Sequence, residues 1–283
     1  MKPITPVVGI SKVINPYDCI VCGVDGVLTK GNGFDLEALK ALKNIHDKGV
    51  LIFILSNSFL RVKALAECFE RASFDLRNLA CIITAGEILH HKLKKNKELG
   101  RKYYNLGGNL SKGIFEGLEY QEVSDLGKAD FVFIGDVSAL KKSVEDYNAD
   151  LQVALAMRLT LVCVGTDVSA HQDGEVCISA GAIAEQYALM GGKIMTVGKP
   201  DKDVLSYLTE SFSKENSKVL FVGDSFLSDM KSAKMIGADM LLVSKGVHIH
   251  ALGEGYIPDV QKARQLSLNY DIYPDYLISA LRW

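Results

Sequence analysis

Four polar groups in this chain stand at one kind of place, directly after a short apolar run. Asp25 follows CIVCGV, Ser56-Asn57-Ser58 follows VLIFIL, Lys199 follows KIMTVG, and Asp224 follows KVLFVG with Asp229 five residues on. These residue types suit phosphate and Mg²⁺. Carboxylates supply the oxygen ligands that a hard cation takes, and an ammonium and a hydroxyl answer phosphoryl oxygens. Each group alone has a plainer reading. A strand-end Asp is commonly a turn former or helix cap, Ser56-Asn57-Ser58 a loop start and Gly198-Lys199-Pro200 a surface turn. Their shared placement is what points to a site. Two residues before Asp25, where a phosphate-handling enzyme would want a second carboxylate, stands Gly23.

Such groups can meet only if the apolar runs are parallel strands of one sheet, whose carboxyl ends share an edge where ligands bind. The pattern fits. Strands are expected at Cys19–Val24, Val50–Leu55 and Ala80–Thr84, with helices at Leu36–Lys48 and about Arg61–Arg71. Continuous apolar strands between amphipathic helices argue for a parallel sheet covered on both faces. After Thr84 the texture changes. Glu87–Lys97 reads as a basic helix, Gly107, Gly108, Gly113 and Gly117 mark loops, strands return at Asp130–Ile134 and Thr160–Val164, and Leu140–Met157 reads as helical. Gly165–Gly181 is loop-rich and precedes a helix over about Ala182–Leu189. The expected architecture is an α/β core, residues 1–84 and 193–283, split by an inserted α/β domain over 85–192. The strand before Lys199 is assigned to the core. The tail is expected to be ordered, because Tyr276, Leu277, Ile278, Leu281 and Trp283 need covering.

The composition narrows the classes. The chain has 283 residues, 48% hydrophobic and 23% charged, with a net charge of −2. That balance is ordinary for a globular protein and gives no nucleic-acid footprint. No apolar run approaches the roughly 18–20 residues of a membrane span, and the N-terminus lacks a signal-peptide apolar segment. Six scattered cysteines, mostly inside apolar runs, fit reduced thiols and a cytoplasmic location. Cys19 and Cys22 spell C-x-x-C, but no second pair follows for zinc, and residues three apart on a strand face opposite sides. Both are expected in the core.

In order, VDGVLTKG, LSNS, VGKP and VGDSFLSDM resemble motifs I to IV of the haloacid dehalogenase (HAD) superfamily. VGTDVSAHQDGEVCISAGAIAE and GADMLLVSKGVH resemble segments of its class IIA phosphatase-like branch, which carries a large α/β (C2-type) cap after the third core strand. The resemblance implies a Rossmann-like core, Mg²⁺-dependent hydrolysis of a small phosphorylated metabolite, a cap that gates access and determines the substrate, and, since such caps often dimerise, a homodimer. Carried over, Asp25 is the general acid and base and a metal ligand through its carbonyl. Ser56 and the Asn57 N–H hold phosphoryl oxygens, Lys199 screens charge, Asp224 binds Mg²⁺, and Asp229 orients the site from behind. In the cap, Asp167, His171, Asp173 and Glu175 stand in a loop able to face the core, though each alone reads more simply as a solvated loop residue.

Gly23 is the departure, because the family places its nucleophilic Asp there. Shifting the register would put Val27 at the acid/base position, which is chemically empty. Cys22 points to the other side of the strand, and Asp18 lies at its far end. Three readings stay open: a non-hydrolysing relative that still binds a phosphorylated ligand, a change of Asp to Gly, or a slow reaction in which Asp25 activates water. Loss of a nucleophile costs several orders of magnitude in rate, so little or no phosphatase activity is expected. The alternative is a pseudophosphatase that binds a phosphometabolite without turnover.

Overall fold

The computed structural model describes residues 3–283 except 32, 138–141, 173–174, 213–216 and 254. The chain runs β1 (Thr5–Pro6), β2 (Cys19–Cys22), β3 (Thr29–Lys30), β4 (Gly33–Phe34), α1 (Leu36–Asp47), β5 (Leu51–Ser56), α2 (Val62–Arg71), β6 (Cys81–Thr84) and α3 (Ala85–Lys95). It continues through β7 (Lys102–Asn105), β8 (Gln121–Glu122), β9 (Phe131–Ile134), α4 (Asn148–Ala156), β10 (Thr160–Val164), β11 (Ser169–Gln172), β12 (Glu175–Ile178), α5 (Ala180–Leu189) and β13 (Ile194–Val197). It closes with α6 (Lys202–Glu210), β14 (Val219–Gly223), α7 (Lys231–Ile236), β15 (Asp239–Val243), α8 (Ile249–Leu252), α9 (Val260–Tyr270) and β16 (Tyr276–Ile278).

Seven strands form a parallel core sheet in the order β1-β16-β15-β14-β2-β5-β6. Its central strands are buried on both faces, which is why they read as unbroken apolar runs rather than alternating ones. Alternation still decides the face. Cys19 and Val21 of β2 join Phe53, Leu55 and Phe221 on one side, while Ile20 and Cys22 join Ile52, Ile54 and Leu220 on the other. The C-x-x-C pair is thus split between two cores, and both thiols are free and buried.

A second parallel sheet has the order β13-β10-β9-β7-β8. One face, with Phe131, Phe133, Val162 and Val164, shares a core with α3 and the first sheet, through Leu89 and Leu93. The other, with Val132, Ile134, Leu161 and Cys163, is covered by α4 and α5 through Leu151, Ala154, Ile183 and Tyr187. Helix α3 forms the passage between the sheets. Thr84, the last residue of β6, caps it by accepting from Glu87 N–H at 3.0 Å, and Glu87 turns back to Arg61 at 2.7 Å.

Four expectations need correction. The strand before Lys199 is not in the core sheet: Ile194–Val197 pairs residue for residue with Leu161–Val164 of the second sheet. Its apolar run is indistinguishable from a core strand in sequence, because both sheets are parallel and covered. A strand not expected, β7 (Lys102–Asn105), precedes the glycine-marked loops, and the loop-rich cap segment contains an antiparallel hairpin, Ser169–Gln172 against Glu175–Ile178. The helix expected over Leu140–Met157 is confined, among the described residues, to Asn148–Ala156 after a 3₁₀ turn at Glu145–Tyr147, and Leu140 and Lys141 lie outside those residues. The tail supplies β16, between β15 and β1.

Candidate active site

A cleft of about 560 Å³ opens between the carboxyl ends of the core strands and the second sheet. Asp25, Asn57, Asp167, Lys199, Asp224 and Asp229 line it. A smaller cavity of about 250 Å³ beside Tyr17 and Lys48, at the opposite ends of the strands, gathers no such set.

β2 delivers the first group. Gly23 N–H still pairs with Val222 O at 2.9 Å, and the chain then turns, with Leu28 N–H on Val24 O at 2.8 Å. Asp25 stands in that turn. Gly26 has φ +71°, and a Cβ there would fall 1.9 Å from Asp224 Oδ2, so only glycine lets the turn pass the carboxylate. Gly23 differs. Its φ lies outside the left-handed region, and a Cβ would rest 3.5 Å from both Asp229 Oδ1 and Val27 Cγ2, an ordinary contact. Neither backbone nor space at the β-carbon demands glycine at position 23.

β14 supplies the next two groups. Asp224 follows it directly and accepts from Val247 N–H at 2.7 Å through Oδ2. Asp229 sits in a π-helical turn, Phe226–Met230, a distortion frequent at functional sites. Its carboxylate is fully engaged: Oδ2 accepts from Asp224 N–H at 3.0 Å and Ser225 N–H at 3.2 Å, and Oδ1 from Lys199 Nζ at 2.7 Å. Lys199 also donates to Leu55 O at 3.1 Å, which engages two of its three ammonium hydrogens. Both side chains of this pair are buried, at 6% and 3% exposure. Lys199 therefore has its backbone at the end of a second-sheet strand and its charge inside the core site.

β5 ends in Ser56, which is buried and accepts from Ser58 N–H at 3.0 Å. Ser56 and Gly23 lie beneath the lining, while Asn57 and Ser58 form part of it. The Asn57 carboxamide accepts from Lys199 N–H at 2.6 Å and donates to Asp167 Oδ2 at 2.7 Å and Thr166 Oγ1 at 3.0 Å. Asp167 is thus brought to the site from the second sheet. Asp173 lies outside the described residues, as do the side chains of His171 and Glu175.

Four carboxylates surround one ammonium. Burial and then Asp167's charge push the Asp25 carboxyl above its usual range. Burial and then Asp229 push Asp224 well above it, and burial likewise raises Asp167. Burial opposes the Lys199 ammonium, but Asp229 and then Asp167 outweigh it and hold the lysine protonated above its ordinary range. Oxygen donors carrying this excess negative charge fit a hard divalent cation. Among the described residues no cluster of three His, Cys, Asp or Glu side chains has metal-holding geometry.

The sequence reading passed over Thr166, Ser228 and His248. Thr166 and Asp167 had a signal, since VCVGTD follows an apolar strand just as VGKP and VGDS do. His248, in the wall beside Tyr270, accepts from Phe226 N–H at 3.3 Å through Nε2. Burial lowers its pKa to about 4, so the ring is neutral near pH 7.

The family description "Haloacid dehalogenase-like hydrolase" matches residues 20–121, and the related "HAD-hydrolase-like" description matches residues 196–266. The ribonucleotide monophosphatase NagD of Escherichia coli (strain K12) is 24% identical over 233 residues, covering 81% of this chain and 88% of that protein. A haloacid dehalogenase-like hydrolase from Brucella suis 1330 superposes with a TM-score of 0.80 at 24% identity, over 96% of this chain and 98% of that one. The glycerol phosphate phosphatase Rv1692 of Mycobacterium tuberculosis, solved in complex with magnesium, gives a TM-score of 0.59 at 19% identity, over 83% of this chain and 70% of that one. Among the described residues no helix is long and apolar enough to cross a membrane.

Proposed function

The chain belongs to the HAD superfamily, in its NagD-like class IIA phosphatase branch, and on that premise we propose that the cleft binds the phosphoryl group of a small phosphorylated metabolite together with Mg²⁺, with low or no turnover. The observation that carries this reading is Gly23, a position with room for a β-carbon inside an otherwise connected network of Asp25, Lys199, Asp224 and Asp229. In this reading residues 85–192, with β13, form the cap over the core.

Asp224 and the Asp25 carbonyl would hold Mg²⁺, which would neutralise part of the charge of a dianionic phosphate. The chain's own groups do the rest. Lys199 has one ammonium hydrogen left for a phosphoryl oxygen. Ser56 Oγ accepts from Ser58 N–H and keeps its own proton to give. The Asn57 N–H is a further donor. Asp25, its pKa raised by burial and then by Asp167, is suited to hold a proton for a departing alkoxide. The group that would attack phosphorus is missing. A second reading, a sensor that binds a phosphometabolite without turnover, is favoured by the intact Lys199–Asp229–Asp224 chain of bonds, because a site with no remaining role has no need of it.

Titration calorimetry with inorganic phosphate and Mg²⁺ tests the binding reading. The native chain should bind, and Lys199→Met should weaken binding at least tenfold. Absence of binding by the native chain sinks the proposal.

A further inference from the structure

Asn57 has its side chain at the meeting point of three strand ends. β5 carries it from the core sheet. β10 and β13 are neighbours in the second sheet, paired at Val164 and Val197, and Gly165 N–H continues their register on Val197 O at 2.9 Å. The Asn57 carboxamide enters between them. Glycine is needed on both sides: a Cβ on Gly165, at φ +83°, would lie 2.8 Å from Asn57 O, and one on Gly198 would lie 2.7 Å from Asn57 Oδ1.

The orientation of the amide is fixed by its partners. Oδ1 meets the Lys199 N–H, and Nδ2 meets two acceptors, Thr166 Oγ1 and the Asp167 carboxylate. Reversal would set an NH₂ against an N–H and an oxygen against a carboxylate. Thr166 Oγ1 closes the ring by donating to Lys199 O. Lys199 is thus held at both ends. Its backbone belongs to the second sheet, while its ammonium is tied to Leu55 O and Asp229 in the core.

We propose that the Asn57 side chain is a positioning group that couples the Thr166–Asp167 loop of the second sheet to the seat of Lys199. The proposal rests on the phosphoryl-binding reading above and adds a mechanism to it. With the loop docked on Nδ2, Oδ1 is held against the Lys199 amide and the ammonium points into the site. When the loop moves away, the carboxamide loses its anchor and the Lys199 backbone loosens with it. Asp167 makes no direct hydrogen bond to Lys199; besides its charge on the ammonium, it reaches the Lys199 backbone through Asn57.

Amide exchange followed by NMR on the full chain without ligand tests the coupling. Asp167→Ala should speed exchange at the Lys199 amide at least fivefold, besides speeding its own loop, while amides of β2 and β5 stay unchanged. Asn57→Ala should do the same, and the double variant should exchange no faster at Lys199 than Asn57→Ala alone. The proposal is overturned if Asp167→Ala leaves the Lys199 amide within twofold of native, or if the two effects multiply. Should Asn57→Ala fail to fold, Asp167→Ala decides the matter. In a second arm, inorganic phosphate with Mg²⁺ should slow exchange of residues 165–168 in the native chain and lose that effect in Asp167→Ala. Retained protection in the variant contradicts the coupling. Failure of the native chain to bind phosphate overturns the phosphoryl-binding reading, while the ligand-free arm still judges the coupling.

Discussion

Asp229→Asn keeps the shape of the residue and removes the charge that answers Lys199. Asp229 accepts three hydrogen bonds, one from an ammonium and two from backbone N–H groups, and both members of the ion pair are buried. An asparagine cannot replace it in either orientation. With Nδ2 toward Lys199, two donors face each other, and with Nδ2 toward Asp224 N–H and Ser225 N–H, three do. Breaking one partner of a buried pair costs about 3–5 kcal/mol. At about 2–4 °C per kcal/mol for a protein of this size class, the thermal midpoint should fall by roughly 10 °C. Urea unfolding of the native chain, Asp229→Asn, Lys199→Met and the double variant forms the cycle. In the double variant the asparagine oxygen is free to accept from the two backbone N–H groups, so the losses should overlap by about 2–3 kcal/mol. A loss below about 1 kcal/mol for Asp229→Asn would refute the reasoning, by showing that Asp167, the next charge in line, holds the ammonium by itself.

Other perturbations separate the remaining parts of the account. The Asp25, Asp167 and Asp224 carboxyls have folded pKa values above their unfolded ones, so the folded state binds protons more readily. Without divalent cations, stability should therefore rise as pH falls from 8 toward about 6.5, below which His248, its pKa lowered to about 4, opposes the gain, and saturating Mg²⁺ should flatten that rise. Thermal scans in EDTA and in Mg²⁺ read this out, and a pH-independent midpoint in EDTA contradicts it. Gly26→Ala should cost about 1–2 kcal/mol from its positive φ and, by displacing Asp224, weaken Mg²⁺ at least tenfold, whereas Gly33→Ala, with nothing within 4 Å of its Cβ, should leave Mg²⁺ affinity unchanged. In EDTA the native chain should bind inorganic phosphate at least tenfold more tightly than Gly23→Asp. A further carboxylate at the nucleophile's place, about 4 Å from the anion, costs about 4 kcal/mol at an effective dielectric near 20, and equal affinities by calorimetry would show that position 23 does not face the anion.

Much of this arrangement is legible in the sequence because parallel sheets print their strands as apolar runs and place the next polar residue at the ligand edge. Asp25, Asn57, Lys199 and Asp224 are readable for that reason. The same rule hides which sheet a strand joins. IMTV before Lys199 looks like a core strand, yet its pairing with Leu161–Val164 is a non-local choice that no local pattern records. β7, KYYN, is short and flanked by glycine-rich loops, so turn signals outweigh its aromatic pair. The cap hairpin escaped because its first strand, SAHQ, is mostly polar and so lacks an apolar signal, although the second, EVCI, is mostly apolar. The selection of Asp167 depends on a hydrogen bond between residues 110 positions apart. Similarly, Gly26 announces a turn in sequence, but its need to clear Asp224 is a fact of packing alone.

The central claim is that position 23 is the vacant place of a nucleophile in a site otherwise equipped for phosphoryl transfer. Phosphate release from a panel of phosphomonoesters, with Mg²⁺, by the native chain and by Gly23→Asp tests it most directly. Because removing a nucleophile costs several orders of magnitude, the restored form should exceed the native chain by at least about 10³-fold on one or more members of the panel. If the restored form stays inactive throughout, or the native chain turns over at a similar rate, the assignment of Gly23 is wrong.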